Sequence, residues 1–213
     1  MIDKIVLFIL GILLLGWLLG CAEAQAHDGA FTPPRNAIKY RRQVIREAQY
    51  RFGLKADAAL FMGQIHQESG FREDAKSKFA FGIAQFVPAT AEWIQSLYPA
   101  DLECETRKGC PLDAGWAIRA MVLYDKRLWD SFPLAQGDER NALMLVSYNS
   151  GIGWVRKERK LAESKGADPE VWFGSVENYC IRAAWACSES KGYPRRILLV
   201  WRHHYRPLVG QFS

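Results

Sequence analysis

From residue 36 to residue 208 the apolar residues of this chain recur three and four positions apart, and no run alternates long enough to make a half-buried strand. That pattern confines the chain to all-α architectures. Helices are expected over 36–52, a basic amphipathic stretch, and over 56–69, which Gly70 closes. Pro88 opens a third over 88–98, and Trp116, Ala120, Val122 and Leu123 form the buried stripe of a fourth over 112–130. The run Ala142-Leu143-Met144-Leu145-Val146 marks 138–149 as the central buried helix. Further helices are expected over 151–164, 168–179 and 193–208, with Gly192 and Pro194 breaking the chain ahead of the last. There is no internal repeat and no second domain, so residues 36–213 are expected to form one helical domain.

The first twenty residues follow a different rule. After Met1-Ile2-Asp3-Lys4 comes an apolar run from residue 5 to 19 that ends in Gly20 and Cys21, too short for a comfortable bilayer span and preceded by a charged start. A signal peptide over residues 1–20 is expected, with residues 21–35 as a tether containing Pro33 and Pro34. Cleavage after Ala24-Gln25-Ala26, a small-x-small site, is the rival to processing at Cys21, and an uncleaved anchor is the third option.

With Cys21 set aside, four cysteines remain: Cys104, Cys110, Cys180 and Cys187. An even set in an exported chain is expected to form disulfides. Of the three pairings, the short loops Cys104–Cys110 and Cys180–Cys187 are the simplest. Seven helical steps separate Cα atoms by about 10 Å, so a Cys180–Cys187 bond excludes a continuous helix there. Neither pair has the spacing of a zinc knuckle, and His66, His203 and His204 fit no ligand pattern, so no metal or cofactor is expected. Net charge is +5. Loss of residues 1–20 removes one Asp and one Lys and leaves it unchanged. A basic surface suits nucleic acid, anionic lipid or the carboxylates of wall peptides, and charge alone does not choose.

Three segments carry the chemistry: Glu68-Ser69-Gly70-Phe71, Gly82-Ile83-Ala84-Gln85-Phe86-Val87-Pro88-Ala89-Thr90 and Ser147-Tyr148-Asn149-Ser150-Gly151. In order and spacing they resemble the E-S-x-F, G-x-x-Q-x-x-P-x-T and Y-N-x-G motifs of the soluble lytic transglycosylase (SLT) domain family. Glu189-Ser190-Lys191-Gly192-Tyr193 is similar to that family's late E-T-x-x-Y segment. Four fixed residues in the second motif recur by chance about once in 10⁵ starting positions, which gives the ordered set its weight. Two departures lie beside it: Phe79-Ala80 stands where the family has Gly-Ala, and Ile83-Ala84 where it has Leu-Met.

The resemblance implies a lysozyme-like helical fold of the goose-type kind and cleavage of the β-1,4 bond between N-acetylmuramic acid and N-acetylglucosamine in peptidoglycan. Glycan strands, and not nucleic acid, are then the expected partner. Glu68 is the implied acid/base catalyst, and Ser77, Gln85, Tyr148, Asn149, Glu189 and Tyr193 the implied substrate contacts, with Tyr148 alternatively orienting Glu68. The motif ending at Cys21 resembles a lipobox, which implies lipidation there and a lipid-anchored periplasmic protein. Ala22 is not the Asp that signals inner-membrane retention, so the outer membrane is the expected destination. Compact exported members of this family serve larger cell-envelope machines, so a secretion, conjugation or phage apparatus is a further expected partner.

Physical chemistry points to the same glutamate. It closes a helix whose preceding turns hold Phe61, Met62 and Ile65, and an apolar surround raises a carboxyl pKa. Most glycosidases use a second carboxylate, but the near candidates Glu73 and Asp74 sit in a polar run. The family's way round that gap is attack by the sugar's own C6 hydroxyl, which yields a 1,6-anhydro product, and proximity supplies what a second residue otherwise would. A muramidase that uses water, or a peptidoglycan-binding component without activity, are the alternatives.

Overall fold

The computed structural model describes residues 31–105 and 109–210, and among them the all-α architecture is what the chain adopts. The leader over 1–20, Cys21 and all but the last five residues of the tether lie outside the described residues. Helix α1 (Arg35–Phe52) is followed by α2 (Ala58–Ser69), α3 (Pro88–Leu97), α4 (Ala114–Asp130), α5 (Gly137–Ser150) and α6 (Ile152–Ser164). Their ends follow local chemistry. Pro88 occupies the first turn of α3, and the Asp113 side chain accepts the Trp116 N–H at 2.7 Å to cap α4. Gly70, in the left-handed region, ends α2 and returns its N–H to the His66 carbonyl at 2.9 Å.

Helix α5 is the hub. Ala142 through Val146 have no exposed surface at all, because α4, α6 and the later helix α7 (Ala184–Arg195) surround it. A helix buried on every side tolerates no amphipathic pattern, and this one reads as a continuous apolar run for that reason.

Two expectations are corrected in the second half. The stretch 168–179 is not a helix: only a 3₁₀ turn, Val176–Tyr179, is regular. Its backbone donors are taken by carboxylates instead. Glu139 Oε2 accepts from the N–H groups of Trp172 (2.7 Å) and Phe173 (3.0 Å), and Glu177 Oε1 from that of Gly174 (2.6 Å), whose φ of 74° also departs from helical backbone. The second correction concerns Gly192 and Pro194, which do not break the chain. α7 runs through both to Arg195, a π-helical turn Arg196–Trp201 follows, and α8 (Arg202–Val209) continues the path. Pro194 removes one helical donor without breaking the helix, and a wider π turn follows it, in which the Arg202 N–H reaches the Ile197 carbonyl.

Both short disulfides form, Cys104–Cys110 and Cys180–Cys187, with Cα separations of 6.2 and 5.7 Å. Cys180 is extended and α7 begins only at Ala184, as the reach of the bond demands.

The final helical stretch packs along α2, and the approach is close at Gly63. A Cβ built there would lie 3.0 Å from the Arg202 nitrogen and 3.1 Å from the Trp201 Cβ. Arg202 then pairs with both oxygens of Asp138 at 2.7 Å each, which ties the end of the chain to the start of the hub helix.

Between α2 and α3 the chain folds a tight irregular loop. Phe81 and Phe86 exchange two backbone bonds of 3.0 Å, and Gly82 donates to the Ala75 carbonyl at 2.8 Å. Gly82 has φ 77°, and a Cβ on it would sit 1.7 Å from the Pro111 carbonyl oxygen. No side chain fits there. Gly82→Ala is therefore expected to cost about 3 kcal/mol of unfolding free energy, measured by urea denaturation, whereas Gly153→Ala, with open space at its Cβ, is expected to change it little.

Candidate active site

The second motif is held as a rigid wall by backbone bonds. Ser69, the last residue of α2, donates its hydroxyl to the Ile83 carbonyl at 2.7 Å, so the helix end and the loop move as one. Gln85 has a left-handed backbone (φ 49°), a conformation that costs free energy without support. The support is its own amide: Nε2 donates to the carbonyls of Gly82 (2.9 Å) and Ala75 (3.2 Å), while Oε1 has no partner among the described residues. Tyr148, in the last turn of α5, donates its hydroxyl to the Ala84 carbonyl at 2.7 Å. The loop is thus fixed from two helices.

These elements enclose a cleft of about 650 Å³. Glu68 lies in it, together with Ser77, Gln85, Tyr148, Asn149, Glu189 and Tyr193, so all seven residues singled out from the motifs line one cavity. They are brought there from the end of α2, the loop, the end of α5 and α7. Gly70 (φ 60°) and Phe71 (φ 65°) turn the backbone sharply away after Glu68, which leaves the carboxyl at the cleft wall. Ser77 caps its own turn by accepting the Ala80 N–H at 3.0 Å. Phe79, one of the departures from the family pattern, lines the same cleft and is two-thirds exposed.

The orienting contact for Glu68 comes from Tyr193, whose buried hydroxyl donates to Glu68 Oε1. Glu68 Oε2 has no bond to any described residue, so one oxygen is held and the other is available toward the cleft. Burial pushes the Glu68 carboxyl up to about 7; the Tyr193 bond opposes the shift and the Glu189 charge adds to it. Near neutrality the acid is poised between its two forms, as a group that gives and later takes one proton requires.

Three polar residues escaped the sequence reading: Asp125 and Gln64 behind this wall, and Tyr124 in it. Asp125, on α4, is fully buried; it accepts the Gln64 amide at 3.3 Å, and its other oxygen has no partner among the described residues. Burial, with the Glu68 charge adding, raises its pKa well above the ordinary value. The signal was a lone acid within the apolar face of 112–130. Tyr124, next to it, lines the cleft. Glu73, by contrast, pairs with Lys39 at 2.8 Å on the surface, and neither it nor Asp74 lines the cleft. His66 stacks on Trp201 at 3.8 Å and bonds the Tyr205 hydroxyl at 2.7 Å, a packing role. Among the described residues no cluster of His, Cys, Asp and Glu is arranged to hold a metal.

The arrangement defines a helical domain with an open cleft and, at its wall, a partly buried carboxylic acid oriented by a tyrosine. Residues 43–171, more than half of the chain, match the family model described as the transglycosylase SLT domain, and the chain belongs to that family. It is similar to proteins named membrane-bound lytic murein transglycosylase F. That of Shewanella frigidimarina is 39% identical over 62 residues, 29% of this chain and 13% of that protein. That of Vibrio cholerae is 28% identical over 123 residues, 57% of this chain and 21% of that protein. The Pasteurella multocida protein is 28% identical over 126 residues, covering 57% and 23%. The chain thus spans less than a quarter of the length of these relatives.

The raised acid has a measurable cost. Its folded pKa of about 7 lies above the ordinary 4.5, so the folded state holds the proton more tightly than the unfolded state. The associated stability is fully present below pH 4.5 and is lost as pH rises through 7. Glu68→Gln, which keeps an acceptor for Tyr193, is expected to match the parent in stability at pH 4 and to exceed it by roughly 3 kcal/mol at pH 8. Tyr193→Phe, which removes the bond that favours the carboxylate, is expected to move the Glu68 midpoint above the parent value in a carboxyl ¹³C titration.

Proposed function

We propose that this protein is a peptidoglycan lytic transglycosylase that cleaves the bond between N-acetylmuramic acid and N-acetylglucosamine and leaves a 1,6-anhydro end. The observation that carries the reading is the single oriented carboxylic acid, Glu68, held near neutral pKa by burial in a cleft that the family's motifs line. Protonated Glu68 delivers its proton from Oε2 to the glycosidic oxygen as an oxocarbenium-like centre develops at C1. The resulting carboxylate then takes the proton of the C6 hydroxyl as that oxygen attacks C1, so one group serves both halves and ends reprotonated. Gln85 Oε1, Asn149 and Ser77 supply hydrogen-bonding groups for sugar hydroxyl and acetamido groups.

The leader and Cys21 support an exported, lipid-anchored enzyme facing the periplasm, with the outer membrane as its destination. The relatives' names, which describe membrane-bound murein enzymes, point the same way. Local wall opening for a secretion, conjugation or phage apparatus is the cellular role that suits a domain of this size.

Purified sacculi incubated with the full chain are expected to release muropeptides carrying the anhydro mass, 18 Da below the hydrolytic product because no water is added; reducing ends alone would establish a muramidase, and binding without release a non-catalytic component. Glu68→Gln is expected to lower the rate about a thousandfold. Because the first step needs the protonated acid, the parent rate is expected to fall as pH rises above about 7. Cys21→Ser is expected to move the protein from the membrane to the soluble fraction.

A further inference from the structure

The basic helix α1 takes no part in the cleft, since none of its residues lines it. It carries six basic residues and one acid, a surplus equal to the +5 of the whole chain, and the acid, Glu47, is buried. Arg35, Ile38, Lys39, Arg42, Arg46 and Tyr50, spaced three and four apart, form one exposed stripe along it, opposite the buried Ala37, Val44 and Ala48. We propose that this stripe is a docking surface for an anionic lipid bilayer, which seats the domain on the membrane through headgroup phosphates and leaves the lining of the cleft free.

Positive charge on this face is left over after local pairing. Arg35 and Arg42 have no acidic partner among the described residues, while Lys39 pairs with Glu73 at 2.8 Å. Arg46 shares the Glu47 carboxylate with Arg119 of α4, both at 3.4 Å, so two guanidinium groups face one negative charge. These residues, with Tyr50, Arg51 and Asp101, line a groove of about 300 Å³ at the C-terminal end of α1. Arg51 and Asp101 neutralise each other there, and one positive charge remains for a phosphate.

A bilayer is favoured over other anions by what stands between the charges. Ile38 and Tyr50 are 58% and 72% exposed within the stripe, and Leu54, just past its end, is 79% exposed. A basic face that carries apolar side chains matches the boundary between headgroups and acyl chains, where cations meet phosphates and apolar groups leave water; the carboxylates of wall peptides reward only the charges. Position favours the same occupant, and here the choice rests on the reading of Cys21 as a lipid anchor. Fourteen residues separate Cys21 from Arg35, at most about 50 Å of extended chain, so the first helix after the anchor stays close to headgroups and a few unpaired charges suffice.

The test uses the full chain carrying Cys21→Ser, so that no acyl chain masks the face, and measures partition by lipid titration onto vesicles of phosphatidylcholine alone and with about a third phosphatidylglycerol. Any contribution of the leader is common to both compositions and cancels in their ratio. That ratio is expected to favour anionic vesicles about a hundredfold at low salt and to fall to about threefold in Arg35→Gln with Arg42→Gln. Removal of the same charge from α6, by Arg156→Gln with Lys160→Gln, is expected to keep it within about twofold of the parent. All four side chains are exposed, so the fold is expected to persist, checked by circular dichroism and by unchanged release from sacculi. A parent ratio near one overturns the proposal, as do equal losses in the two double variants, which reduce the effect to net charge. An intact ratio with lost sacculus binding in Arg35→Gln with Arg42→Gln also overturns it and assigns the stripe to wall carboxylates. Failure of the readings beneath it looks different: parent that releases nothing from sacculi, or Cys21→Ser chain that fractionates as the parent does, with the vesicle ratio unaffected by either.

Discussion

The bond from the Tyr193 hydroxyl to Glu68 is the interaction on which the site depends. A carboxyl group enclosed by protein has two failures open to it: it ionises at the expense of the fold, or it rotates away from its substrate. Tyr193 prevents the second by holding one oxygen, and it moderates the first by partly offsetting the burial that raises the pKa. The tyrosine is itself buried and its own pKa is raised well above ordinary, by burial first and then by Glu68, so it stays a neutral donor across the working range. α7 keeps its path through Gly192 and Pro194, and that continuity holds Tyr193 in place.

The rest of the structure brings these two groups together and gives the cleft a hard wall opposite them. Ser69 ties the acid's helix to Ile83, Tyr148 ties the hub helix to Ala84, and the Gln85 amide closes the loop on itself. None of these bonds touches a reacting atom. Their combined effect is to place backbone and side chains within a narrow range of positions, which is where catalytic proximity comes from.

Much of this was legible in the sequence. Helical periodicity located α1 to α6 to within a residue or two, because tertiary packing and local pattern agree there. It failed over 168–179, where an apolar run is captured by the carboxylates of Glu139 and Glu177, partners that no local window contains. It failed again at Pro194, where the helix runs on into a π turn packed along α2, a contact that no local window contains. In the site, short motifs pointed to Glu68 and the residues around it, but not to which tyrosine orients it: Tyr148 was the nearer candidate, and its hydroxyl goes to a backbone carbonyl instead. Asp125 went unnoticed because one acid in an apolar stripe carries no partner in the sequence; Gln64 lies 61 positions away.

The close crossing at Gly63 joins the helix that bears the acid to the last helical stretch of the chain. The acid and its tyrosine are likewise 125 residues apart. During synthesis the glutamate therefore emerges long before the groups that bury and orient it. Until the final helices dock, Glu68 lacks both the burial and the tyrosine contact that set its acidity. The topology defers assembly of the site to the completion of folding.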